Sequence, residues 1–110
     1  YMSNHSYKGV NMKQQSKELL FGLSEFYKIF GDTTRLRILD LLLNKPLCVN
    51  EISEKLDVSQ SAVSHQLKML RLSNLVATDK IGKNVYYKIS DDHIKVILKY
   101  GLEHISEVMQ

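Results

Sequence analysis

The chain has 110 residues, 44% of them hydrophobic and 25% charged, which suits one globular domain with a modest core and leaves no room for a second. Fifteen Lys and Arg against 12 Asp and Glu give a formal net charge of +3, a mild basic bias that permits a nucleic-acid partner without requiring one. The single cysteine, Cys48, excludes an internal disulfide and fits a reducing cytoplasm, and no apolar run approaches the roughly 20 residues of a membrane span.

Residues 1–15 are polar and aperiodic, and are expected to form a flexible N-terminal arm in which His5 is simply solvated. Residues 16–110 are expected to make the folded domain. From Ser16 onward, Leu19, Leu20, Leu23, Phe26, Tyr27 and Phe30 recur at the three and four residue steps of an amphipathic helix that ends near Gly31. Asp32 is a good N-cap for a second helix, whose Leu36, Ile38, Leu39, Leu41, Leu42 and Leu43 make it apolar enough to be largely buried. Asn44, Lys45 and Pro46 stop it, Leu47 to Val49 read as a short edge strand, and a third helix runs from about Asn50 to Leu56.

Ser59 caps a fourth helix whose Val63, Leu67 and Leu70 face inward, together with Ala62. Its other side presents Gln60, Ser61, Ser64 and His65, then the cations Lys68 and Arg71. A short helix, a tight turn and a second helix with such a face is the helix-turn-helix arrangement, in which the second helix enters the major groove. Small side chains allow close approach, and Gln, Ser and His can read base edges. An ordinary solvated helix face would look the same by composition. The continuation favours DNA: two short strands flank a turn at Gly82-Lys83-Asn84, making a hairpin with Lys80 and Lys83 at its tip. Helix-turn-helix followed by a basic hairpin is a winged helix, with cations placed for the phosphates beside the groove. The fold class is thus mainly α with a small β-hairpin, a winged helix-turn-helix.

The last helix, about Asp91 to Val108, carries four potential metal ligands, Asp91, His93, His104 and Glu107. His93 and His104 point to nearly the same side but lie about 16 Å apart along the axis, so one chain cannot bring them to one ion. Two copies running antiparallel about a two-fold axis can, pairing Asp91 and His93 of one chain with His104 and Glu107 of the other. The expectation is a homodimer with two equivalent sites. Ile94, Ile97, Leu98, Leu102, Ile105 and Val108 form an apolar stripe for packing on the body, beside a stripe of His93, Val96, Tyr100, His104 and Glu107. The blander alternatives are that Asp91 only caps the helix and that His104 and Glu107 are a solvated pair.

From about Lys17 to Val108 the sequence resembles the ArsR/SmtB family of winged-helix metal-sensing repressors. The resemblance rests on FGDTTRLRIL at Phe30 to Leu39, VSQSAVSHQLKMLR at Val58 to Arg71, VYYKI at Val85 to Ile89, and the final helix. Zinc-type sensors of the family carry D-x-H, ten residues, then H-x-x-E or H-x-x-H in that helix, and Asp91, His93, His104 and Glu107 match every position and spacing. Other members use thiolates in a motif like C-V-C-D-x-C at the third helix. Here only Cys48 of that set is present, and one thiolate cannot make a multi-sulfur site.

The resemblance implies a metal-free dimer that binds the operator of an efflux or sequestration gene and is released by zinc. Two imidazoles and two carboxylates suit tetrahedral Zn(II), with Co(II) substituting in vitro. The alternatives are a regulator of the same fold that answers a non-metal signal, a winged helix that binds a protein, and a zinc hydrolase. For the last, no motif supplies an open coordination position with a nearby base.

Overall fold

A computed structural model describes residues 14–110, so the expectation of an arm falls mostly outside the described residues. Five helices and one hairpin follow in the order α1 (Lys17–Ile29), α2 (Thr33–Leu42), α3 (Val49–Leu56), α4 (Gln60–Leu72), β1 (Val76–Ile81), β2 (Asn84–Ile89) and α5 (Asp92–Val108). Local chemistry sets most of the boundaries. Ser16, Asp32, Ser59 and Asp91 each occupy an N-cap, and each side chain accepts a backbone N–H one turn into its helix. The α4 helix is stopped by Asn74 at φ +63°. Leu75 N–H then reaches Leu70 O at 2.9 Å and Asn74 N–H reaches Arg71 O at 3.0 Å, a Schellman closure with the buried Leu70 and Leu75 packed beneath it.

The core is built from α2, α3 and α4 and closed by the foot of the hairpin and the first turns of α5. Ile38, Leu39, Ile52, Val63, Leu67, Leu70 and Leu75 are fully buried in it. β1 and β2 pair antiparallel from Val76 opposite Ile89 to Ile81 opposite Asn84. The turn is therefore two residues, Gly82 and Lys83, with Asn84 already in the ladder. Gly82 has φ +63°, and the residue after it is not left-handed, the pattern of a type II′ hairpin turn that favours glycine first. Ser90 Oγ donates to Asn74 O at 2.7 Å, tying the end of the hairpin to the end of α4 where α5 departs.

Four sequence expectations are corrected. Leu47 to Val49 is not a strand: Leu47 alone forms a bridge, exchanging hydrogen bonds of 3.0 and 2.8 Å with Tyr87, because Val49 is already the first residue of α3. Ala62 is exposed rather than inward, because the buried face of the helix is the one that carries Val63, Leu67 and Leu70. The second helix is only partly buried, with Leu36 left at the surface. The apolar stripe of α5 packs on the body only through Ile94 and Leu98, with Ile97 half-buried; Leu102, Ile105 and Val108 run on past the core into the open. The α1 helix behaves alike. None of its residues is buried; Phe26, Ile29 and the following Phe30 rest on the core, while Leu19, Leu20, Phe21 and Leu23 stay exposed.

Candidate nucleic-acid interface and metal centre

The α3 and α4 helices meet at a turn locked from several sides. Asp57 takes the left-handed conformation, φ 54°, that ends α3, and Val58 N–H donates to Ser53 O at 3.2 Å while Ser53 Oγ donates to Val58 O. Arg37 of α2 donates to Leu56 O at 3.0 Å, fixing the same turn to the core. A further bond joins α2 to α4, from Arg35 Nε to Gln66 Oε1 at 2.8 Å. The buried side of α4 is thereby set by Val63, Leu67 and Leu70 and its half-buried side by Gln66. Gln60, Ser61, Ser64, His65, Lys68 and Arg71 all come out exposed on the outward face.

The sequence places these six residues on one helix but does not show what holds the first of them. Gln60 Nε2 donates to Asn50 Oδ1 on the first turn of α3. Ser61 Oγ lies 3.4 Å from Ser59 Oγ, beside the capping hydroxyl. Neither Asn50 nor the Arg35–Gln66 pair gives a signal in sequence, because each joins positions at least ten residues apart.

Lys80 and Lys83 are exposed near the tip of the hairpin, and among the described residues no carboxylate pairs with them or with Lys68 or Arg71. The ammonium of Lys88, by contrast, sits 2.8 Å from Asp79 on the facing strand. These four cations thus lie on the outward side of α4 and near the hairpin tip, where a duplex seated on α4 would bring its phosphates.

On α5 the four candidate ligands form two separate pairs. Asp91 Oδ1 accepts from Ile94 N–H at 3.3 Å as the helix cap and lies 3.5 Å from His93 Nδ1, so capping and closeness to His93 coexist in one carboxylate. One Asp91 oxygen remains for another partner. His104 and Glu107 line a shallow polar cleft with Tyr100 and Glu103 near the other end of the helix. All four candidates are exposed, and the described residues contain no group of three or more His, Cys, Asp or Glu able to hold an ion within one chain. Cys48, half-buried, stands at the N-cap of α3, where its backbone N–H donates to Glu51 Oε1 at 3.1 Å. That hydrogen bond, helped by the Cys48 side chain, Lys45 and Lys55, holds the Glu51 carboxyl below its ordinary value.

Residues 32–78, from the cap of α2 into β1, match the family model described as bacterial regulatory protein, arsR family. The chain is 35% identical over 88 residues to the cadmium resistance transcriptional regulatory protein CadC of Listeria innocua, a match covering 79% of this chain and 74% of that protein. The chain belongs to the arsR family. It is also 38% identical over 85 residues to the transcriptional repressor SmtB homolog of Synechocystis, covering 77% of this chain but only 64% of that longer protein. Among solved structures, the AntR antimony-specific transcriptional repressor superposes with a TM-score of 0.80 at 26% identity, covering 94% of each chain. The fold is therefore the winged helix-turn-helix of arsR-family regulators, with α3 and α4 as the motif and β1–β2 as the wing. These are transcriptional regulators rather than enzymes, which sets the hydrolase reading aside. The family-model match spans the helix-turn-helix and stops before α5, so it does not bear on the candidate ligands.

Proposed function

We propose that this arsR-family chain is a cytoplasmic, metal-responsive transcriptional repressor: a homodimer binds operator DNA through α4 and the wing, and Zn(II) bound between the two α5 helices releases it. The observation that carries the reading is the division of ligands on α5. An imidazole and a carboxylate stand at each end of one exposed face, about 16 Å apart, with nothing among the described residues to complete either pair. Two antiparallel copies of α5 complete both at once, giving sites of Asp91 and His93 from one chain with His104 and Glu107 from its partner.

The donor set of two imidazoles and two carboxylates suits Zn(II), with Co(II) as an in vitro substitute. The relatives' names speak of cadmium and antimony. A soft thiolate site is not supported here, because Cys48 is the chain's only cysteine. When bound, the ion would supply a crosslink between subunits. The chain's own residues then do the rest: α5 leaves the body beside the end of α4, through the Ser90–Asn74 bond, so the angle between subunits sets the separation of the two α4 helices. Half-sites on a duplex have fixed spacing, and a subunit angle that mismatches them weakens binding. By linkage, DNA weakens zinc binding by the same factor, within about 1 to 3 kcal/mol for typical couplings.

The test is fluorescence anisotropy of the dimer on DNA from upstream of its own gene, with and without zinc. Tight apo binding that zinc loosens at least about fivefold, the lower end of ordinary coupling, supports the proposal. Apo binding that zinc leaves unchanged would refute the metal response while keeping the DNA role. In that case Asp91 serves only as the cap it is seen to be.

A further inference from the structure

The helix-turn-helix places two side-chain amides against each other across its turn. Gln60, on the first turn of α4, donates through Nε2 to Oδ1 of Asn50, on the first turn of α3. Both residues are exposed, so the bond is not there to satisfy a buried group. The helices that carry them are held rigidly by Asp57, the Ser53–Val58 bonds and Arg37, and by Ile52, Leu56, Val63 and Leu67 packed between them. We infer that Asn50 and Gln60 act as one composite base reader, in which Asn50 fixes the Gln60 amide so that it selects adenine over guanine in the major groove. The inference rests on the proposed DNA-reading role of α4 and adds to it a specificity residue from the preceding helix.

The chemistry is a count of donors and acceptors. A Gln side chain carries two N–H donors and one carbonyl acceptor. Unclasped, it can turn both N–H groups toward the two acceptors of guanine, N7 and O6, or present one donor and one acceptor to N7 and N6–H₂ of adenine. The clasp removes one of those choices. With one N–H committed to Asn50 Oδ1, Gln60 keeps one N–H and Oε1, the set that matches adenine. Guanine would then set its O6 against Gln60 Oε1, acceptor facing acceptor. Asn50 needs no contact with a base to impose this.

The chain, its Asn50→Ala, Asn50→Asp and Gln60→Ala variants, and the Asn50→Ala/Gln60→Ala double variant are each used to select duplexes from a pool with a randomised core. Wild type is expected to prefer adenine over guanine at one position of each half-site. Asn50→Ala should reduce that preference about tenfold while leaving the other positions sharp, within the range of one bidentate contact. Asn50→Asp keeps an acceptor for Gln60, so it should retain the preference while binding every sequence more weakly. The double variant should discriminate no less at that position than Gln60→Ala alone.

Circular dichroism checks folding, and if Asn50→Ala unfolds, the retained preference of Asn50→Asp and the base chosen by wild type still decide the matter. A wild type that selects bases normally, loses one position in Gln60→Ala and loses nothing in Asn50→Ala would overturn the composite reader alone. So would an Asn50→Ala that weakens all sequences evenly, the mark of a phosphate contact. A wild type with no sequence preference would overturn the DNA reading by α4 and the inference with it.

Discussion

His104 stands on the exposed face of α5, and among the described residues it makes no ion pair. Exposed substitutions of that kind seldom move stability by more than about 0.5 kcal/mol. His104→Ala is accordingly expected to keep apo operator affinity within about twofold, the equivalent of that energy, while abolishing release by zinc. Equal loss of both, measured by anisotropy titration, would make the residue structural. The α4 face divides in the same way. Ser64→Ala or His65→Ala should blunt base discrimination, each good contact being worth about 1 to 3 kcal/mol. Lys83→Ala should weaken all sequences alike and lower the slope of log affinity against log salt by about 0.9 for each phosphate left unneutralised. If the two classes of variant give the same salt slopes and base preferences, the duplex does not seat on α4 with the wing beside it.

Glu51 offers a pH test at this scale. Its folded-state carboxyl titrates below the ordinary value of 4.5, first because Cys48 N–H donates to it. A depressed carboxyl gives stability that is complete above the unfolded value and is lost as pH falls through the folded one. Wild type should therefore exceed Glu51→Gln in stability by a constant margin near neutrality. In urea melts that margin should shrink as pH drops below 4.5. A margin indifferent to acid would mean that the charge on Glu51 contributes nothing to the cap of α3.

At the level of elements, the Schellman closure at Asn74 decides where α4 stops and β1 starts. A left-handed residue costs roughly 1 to 2 kcal/mol unless it is Gly, which lacks a Cβ, or, more weakly, Asn. Asn74→Ala should destabilise the fold by up to about that amount and Asn74→Gly should not, by thermal or urea unfolding. Destabilisation by Asn74→Gly with none from Asn74→Ala would show that the closure does not govern the boundary. Sequence alone makes α4 readable, since Ser59 caps it and Val63, Leu67 and Leu70 share one face. It makes the hairpin readable through Gly82. It cannot say that Leu47 bridges Tyr87 or that Asn50 clasps Gln60, because such contacts depend on where distant segments are brought by the core. The stripe of α5 fails for a different reason: periodicity reports which face of a helix is apolar, and is silent on whether its own body or another chain covers it.

Across the whole molecule, that silence is the main clue to assembly. The outer face of α1, with Leu19, Leu20, Phe21 and Leu23, and the far half of α5, with Leu102, Ile105 and Val108, remain exposed in the single chain. Between the two helices and α2 runs an apolar groove lined by Tyr27, Phe30, Leu36, Ile97, Leu102 and Ile105. An apolar surface of this extent marks an interaction face, and two-fold pairing through α1 and α5 would cover it with its own copy. The same pairing would run the two α5 helices side by side and bring the separated ligand pairs together. Dimer and metal site are then one structural event. Ile105→Asp tests them jointly, because it places a carboxylate in the apolar face without touching any candidate ligand. An unpaired buried charge costs roughly 3 to 5 kcal/mol, which converts to a dimer dissociation constant weaker by at least about a hundredfold. Analytical ultracentrifugation should find a folded monomer at micromolar concentration, and calorimetry should find high-affinity zinc binding gone although Asp91, His93, His104 and Glu107 are all present. An Ile105→Asp chain that is monomeric yet binds zinc tightly would place the site within one subunit; one that stays dimeric would move the interface off α5.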